Sequence, residues 1–274
     1  MPRTIALLTD FGTADHFVGV MKGAILRLHE NVHLIDISHD ITPQDIVQGA
    51  LVLKHAYAYF PEGTIFLTVV DPGVGSVRRS VIMKTGRYLF VAPDNGILFP
   101  VAQKEKKVTF YQITNSRYFL HPVSRTFHGR DIFAPVAAYL SRGSAPSRFG
   151  PPIKTIKELI LPESKIDVER KSITGRIIAI DRFGNLITSI TASEITRLKG
   201  TPEFRLKKKS IKGLSASYSA VAAGQLLAVE GSMGYVEIAV NRGSAAKMLH
   251  ARKDDTVTVA GSQGKTTEDK RQQT

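Results

Sequence analysis

The chain has 274 residues, 43% of them apolar and 22% charged, enough to bury the core of one large domain or two modest ones. It has no cysteine, which excludes disulfides, thiol nucleophiles and cysteine metal sites, and no apolar run reaches the ~20 residues that span a bilayer. A net charge of +13 raises nucleic acid as a partner, but the one dense basic run, RLKKKSIK at 205–212, has no aromatic residue and reads as a solvated strand edge or loop.

MPRTIALLTD runs straight into a strand at 4–9 and does not read as a signal peptide. With the missing cysteines, this suits a cytoplasmic setting. Helical spacing then covers 15–28, HLIDIS at 33–38 is a second strand, and 45–59 is a helix with Ile46, Ala50, Val52, Leu53 and Ala56 on its buried face. TIFLTVV at 64–70 is a fully apolar strand. SVIMKTG and YLFVAP read as a hairpin or sequential strands, with PDNG at 93–96 as a turn, and a helix follows RTFHGRD to about Leu140. Alternating strands and helices argue an α/β domain over 1–150 with a largely parallel sheet. Residues 151–170 read as a linker. Strand-like runs dominate 171–261 and argue a smaller antiparallel β-barrel or sandwich, and the polar stretch 262–274 reads as a disordered tail.

Three motifs carry chemistry. DPGVGSVRR at 71–79 puts Asp71 at the end of the buried strand, where open α/β sheets bind ligands, with Arg78 and Arg79 both in reach. Asp-Pro-Gly is also ordinary turn chemistry. RTFHGRD at 125–131 carries His128, and IDRFGN at 180–185 follows a β-rich run and doubles as hairpin material.

With the opening IALLTDFGTADHFVG, these motifs in this order resemble the S-adenosyl-methionine hydroxide adenosyltransferase family, the hydrolase relatives of the fluorinase and chlorinase enzymes. The resemblance covers about residues 4–250. It implies cleavage of S-adenosyl-L-methionine to adenosine and methionine by water at C5′, with no metal or other cofactor and a homotrimer whose sites are shared by neighbouring subunits. It assigns the catalytic set to Asp71, Arg78 and His128, with Arg79 the neighbour competing for the arginine role. It puts Asp10 on the ribose hydroxyls and Asp15 and Phe17 near the methionine end. Asp181, Phe183 and Asn185 match its Asp-x-Phe-Gly-Asn pattern, Asp181 for the ammonium and Asn185 for the adenine edge. Ser232 would touch the amino acid, and backbone from Val240 to Arg242 would read adenine. The halogenating relatives carry tyrosine at the position of Asp71 and serine at that of Gly129. An anionic Asp71 would repel a halide by about 4 kcal/mol at ~4 Å and an effective dielectric near 20.

Other readings stay open at this level. A halogenase of the same family is one. A metal-dependent hydrolase could draw on Asp10, Asp71, Asp94, His128 and Asp131. A basic nucleic-acid-binding module lacks a recognition motif, and a dinucleotide-binding fold lacks the third glycine of its fingerprint.

Overall fold

In the computed structural model, which describes residues 3–261, the chain divides into two units, one ending at Leu161 and one beginning at Pro162. The expected tail at 262–274 lies outside the described residues.

The first unit opens with β1 (Thr4–Thr9), α1 (Phe17–Leu28), β2 (His33–Ser38), α2 (Ile46–Ala56) and β3 (Ile65–Val69). A hairpin of β4 (Ser80–Lys84) and β5 (Leu89–Pro93) follows, then α3 (Phe99–Ala102), β6 (Thr109–Gln112), α4 (Ala134–Ser141) and β7 (Pro152–Ile153). The seven strands form one sheet in the order β2-β1-β3-β5-β4-β6-β7. The first four are parallel neighbours, and β4, β6 and β7 pair antiparallel. The sheet is therefore mixed, with its parallel part confined to one half.

Strand alternation builds a core on each face. Ile5 and Leu7 pack with Met21 and Ile25 of α1 and Ala137 of α4, while Ala6 and Leu8 pack on the other face with Ala50 and Leu53 of α2. Residues 64–70 are buried throughout, as a strand covered on both sides must be. On α2, Ala50 and Leu53 are buried as expected and Ile46 and Val52 pack half-buried against the same core, while Ala56 is only half-buried and Gly49 and Leu51 join the buried face. At Gly49 the helix comes close to the chain leaving β3 and to the segment before α3: a Cβ there would lie 3.0 Å from Ile97 and 3.1 Å from Val70. The expected linker carries structure as well. Its residues 152–153 extend the sheet, and Ile156 is buried in the core beside Ala6 and Phe66.

The second unit holds β8 (Lys165–Asp167), β9 (Ser172–Ile180), β10 (Leu186–Thr191), α5 (Ala192–Ile195), β11 (Pro202–Leu206), β12 (Lys209–Lys212), β13 (Leu226–Glu230), β14 (Tyr235–Val240), α6 (Ala245–Leu249) and β15 (Thr256–Gly261). They form a nearly closed antiparallel barrel in the order β12-β11-β15-β9-β10-β14-β13, with β8 added on β9. A bridge from Ser215 to Val229 draws the chain leaving β12 toward β13. The basic run forms the β11–β12 hairpin at the end of the strand order, where lysines face solvent.

Candidate active site

In the first unit, β1 and β3 are parallel neighbours with Thr9 beside Val69, so Asp10 and Asp71 leave the same sheet edge. The chain goes from β1 to β2 on one side, and β3 is followed by strands on the other. This is the switch point at which open α/β sheets form a crevice.

Arg78 organises that edge. Its Nε donates to Asp71 Oδ1 at 2.8 Å and Oδ2 at 2.9 Å, and its Nη2 forms a short ion pair with Oδ2. Its Nη1 donates to Ser80 Oγ at 2.9 Å, and its Nη2 also reaches His128 Nδ1 at 2.9 Å. The guanidinium carbon lies 5.2 Å from the centre of the Phe133 ring. The Asp71 side chain is 5% exposed and that of Arg78 10%. Arg79 turns elsewhere: it pairs with the buried Asp94 and donates to Thr155 O. Arg78, not Arg79, therefore contacts both Asp71 and His128.

A guanidinium has no acceptor, so His128 Nδ1 must be the acceptor and the ring proton sits on Nε2. Burial, and then the charge of Arg78, hold the His128 pKa below its ordinary value, against the opposing pull of Asp71 and Asp131. The histidine is therefore neutral, with one N–H to donate.

Gly75 brings the two motifs together. It has φ +78°, and a Cβ there would lie 2.4 Å from Arg125 O, so the 71–79 loop seats directly on the 125–128 segment. His128 precedes a π-helical turn, Gly129–Phe133, that feeds α4. Behind it Gly129 is fully packed: a Cβ would meet Met21 Sδ at 3.1 Å, Phe127 at 3.3 Å and Phe11 at 3.4 Å. Phe17 completes this aromatic cluster, 5.2 Å from Phe127 and 5.8 Å from Phe11. Asp10 accepts from Gln44 N at 2.8 Å, and Asp15 is exposed.

The acids considered for a metal are otherwise engaged. Asp94 is held by Arg79 and Lys157 N, and Asp131 by Arg130 and Ser124 N. Among the described residues, no three acidic or histidine side chains converge as a metal-binding set.

In the second unit, Asp181, Phe183, Asn185, Ser232, Val240 and Arg242 all line one cavity of about 800 Å³, a volume suited to a small-molecule ligand. Asp181 also shapes its own turn. Its Oδ1 accepts from Phe183 N at 2.9 Å and Asn185 N at 2.8 Å, and its Oδ2 from Asn185 Nδ2 at 2.8 Å. Phe183 is 76% exposed beside it. Gly184, at φ +84°, sits where any Cβ would strike Ser244 Oγ. The sequence reading missed Tyr218 and Glu237 in the same cavity, joined by a 2.6 Å hydrogen bond. Burial and that bond push the Tyr218 hydroxyl up, so it stays a donor. Glu237 had a signal: a lone acid in the apolar strand YVEIAV. Tyr218, in a polar loop, had none.

Comparison with known proteins fits this geometry. Residues 5–150 match the family model of the SAM hydroxide adenosyltransferase N-terminal domain, and residues 175–258 match that of the C-terminal domain. A protein named (R)-S-adenosyl-L-methionine hydrolase from Salinispora tropica is 36% identical over 256 residues, covering 93% of this chain and 97% of that one. A fluorinase from Actinoplanes sp. is 28% identical over 218 residues, covering 70% and 73%. The crystal structure of an uncharacterized conserved protein from Thermotoga maritima matches with a TM-score of 0.85 at 35% identity, covering 93% of this chain and 99% of that one. No helix among the described residues is long and apolar enough to cross a membrane.

Two expectations follow from the first-unit cluster. Gly75→Ala should cost about 1–3 kcal/mol in stability and also lower turnover, because it strains φ and pushes Arg125 away. Gly63→Ala has a similar φ of +83° but open space around it, so it should share the strain and leave turnover intact. Denaturation midpoints and kcat for both variants decide this, and equal turnover in the two would separate Gly75 from the site. Second, the His128 ring should titrate below 6.5, read by NMR. A histidine pKa depressed by folding adds stability that is fully present above the unfolded value and lost as pH falls through the folded one. Stability contributed by this group should therefore hold between pH 7 and 6.5 and decline only at lower pH. A midpoint at or above 6.5 contradicts the lowering of this histidine by burial and Arg78.

Proposed function

The chain belongs to the S-adenosyl-L-methionine hydroxide adenosyltransferase family, and we propose that it hydrolyses S-adenosyl-L-methionine to adenosine and L-methionine by attack of water at C5′. The observation that carries this reading is one arginine binding both a buried carboxylate and a neutral histidine at the sheet's ligand-binding edge.

The chemistry needs little else. The leaving group is a sulfonium that departs as neutral thioether, so no general acid is required. The C5′–S bond breaks, a C5′–O bond forms, and one proton is released. The demand is to hold a water in line behind C5′ and make it more basic. Asp71 accepts a hydrogen bond from that water and takes its proton on the way to solvent. His128 donates Nε2–H to the same oxygen and fixes its orientation. Arg78 stays a cation, and its hydrogen bonds to both groups keep Asp71 and His128 aligned. Beside the reacting carbon, Asp10 serves the ribose hydroxyls, and Asp15 and Phe17 the methionine end. Asp181, Phe183, Asn185, Ser232, Val240 and Arg242 hold the adenine and amino-acid parts. Three N–H groups of its own turn also donate to the Asp181 carboxylate.

We place the reaction in the cytoplasm, without metal or other cofactor, in a homotrimer. Fluoride or chloride transfer is disfavoured by the anionic Asp71 and by the packed space around Gly129, where a serine side chain would meet Met21 and two phenylalanines.

The purified protein should convert S-adenosyl-L-methionine to adenosine and methionine in EDTA, and give no 5′-chloroadenosine at high chloride. Asp71→Asn can still accept from Arg78 but leaves the guanidinium's charge uncompensated, so it should be less stable and kcat is read on protein shown folded by circular dichroism. Its kcat should fall on the order of 10²–10³-fold with KM within a few-fold. Near-full turnover in that variant would reduce Asp71 to a turn residue. The trimer is tested by mixing an inactive Asp71→Asn chain with an inactive Asn185→Ala chain under subunit exchange. Recovered activity supports sites shared between chains, and a mixture that exchanges yet stays inactive places each site in one chain.

A further inference from the structure

Four charged side chains line the cavity of the second unit: Asp181, Glu230, Glu237 and Arg242. Acids outnumber the base, so the lining is formally negative. Asp181 serves its own turn and Glu230 is exposed. Glu237 is different, being only 7% exposed. On β14, Val236, Ile238 and Val240 belong to the barrel core, so Glu237 projects from the other face of the strand. Its Oε2 accepts from Tyr218 at 2.6 Å, and among the described residues no cation is paired with it. Its Oε1 lies 2.0 Å from where a Cβ on Gly231 would sit, so only glycine there leaves room for it. A carboxylate this buried is costly to keep without a positive partner. Its place in a cavity wall points to a partner that arrives with the ligand.

We propose that Glu237 is a specificity-determining residue that makes this cavity prefer a positively charged adenosyl ligand to its uncharged counterpart. The inference rests on the hydrolase reading above. S-adenosyl-L-methionine carries a sulfonium besides its ammonium and carboxylate, a net charge of +1, whereas adenosine is neutral and methionine a zwitterion. A fixed negative charge in a water-poor wall strengthens binding of the first and gives the products no such gain. The group that draws substrate in thus does not hold product back. Tyr218 acts as a positioning residue by fixing the carboxylate through its O–H.

Calorimetric titration with three probes tests this. Sinefungin has an amine where the substrate has its sulfonium, S-adenosylhomocysteine has an uncharged thioether there, and adenosine lacks the amino-acid part. The wild-type protein should bind sinefungin more tightly than the thioether. Glu237→Gln, which still accepts from Tyr218, should cut that preference about tenfold or more and leave adenosine affinity within about twofold. Tyr218→Phe, which releases the carboxylate but keeps its charge, should lower the preference less than Glu237→Gln does. Glu237→Gln with an unchanged preference, or with all three probes weakened alike, overturns the inference while leaving the hydrolase reading intact. A wild-type protein that binds none of the probes overturns both.

Discussion

The first-unit site depends on the placement of one guanidinium. Arg78 is nearly buried, and its charge is offset by Asp71 at hydrogen-bond distance. Removing either partner of such a pair leaves an uncompensated charge, which typically costs 3–5 kcal/mol. The pair is therefore self-enforcing. The same guanidinium occupies His128 Nδ1, so one residue fixes the position of the carboxylate and the tautomer of the histidine. Phe133 below and Ser80 beside it leave the fork one orientation.

That arrangement is carried by backbone more than by side chains. The parallel β1 and β3 bring Asp10 and Asp71 to one edge. Gly75 then lets the 71–79 loop touch the backbone of Arg125, which brings His128 within reach of Arg78. Gly129 admits Met21, Phe11 and Phe127 behind the histidine. The site is thus polar on the ligand side and closely packed on the other, an environment in which donors and acceptors hold their geometry without reorganising.

Much of this was legible in the sequence because the signals were local. The apolar run 64–70 announced a strand buried on both faces, and alternating runs announced the barrel. The motif residues of the second unit do converge on one cavity. What escaped depended on long-range packing. Arg78 and Arg79 are indistinguishable in a string, and only Asp94, fifteen positions on, claims Arg79. The buried face of α2 also takes in Gly49, close to Val70 and Ile97, which hydrophobic periodicity does not weigh. The antiparallel half of the first sheet arose because β4 and β5 form a hairpin while β5 also runs parallel to β3, a pairing that no local pattern encodes. Tyr218 reaches its partner Glu237 from a loop 19 residues away, so its role was invisible until the barrel was formed.

The central claim is that Asp71 activates water and does not itself attack carbon. A single turnover in ¹⁸O-water, with enzyme in excess over S-adenosyl-L-methionine, separates the two routes. Direct attack places ¹⁸O at the 5′ position of adenosine in that first turnover and leaves the Asp71 carboxylate unlabelled. Attack by Asp71 would form an ester, put an unlabelled enzyme oxygen into the first adenosine, and leave ¹⁸O on Asp71 after hydrolysis. Water activated by Asp71 gives labelled adenosine and an unlabelled Asp71 peptide by mass spectrometry; the reverse pattern would contradict that role.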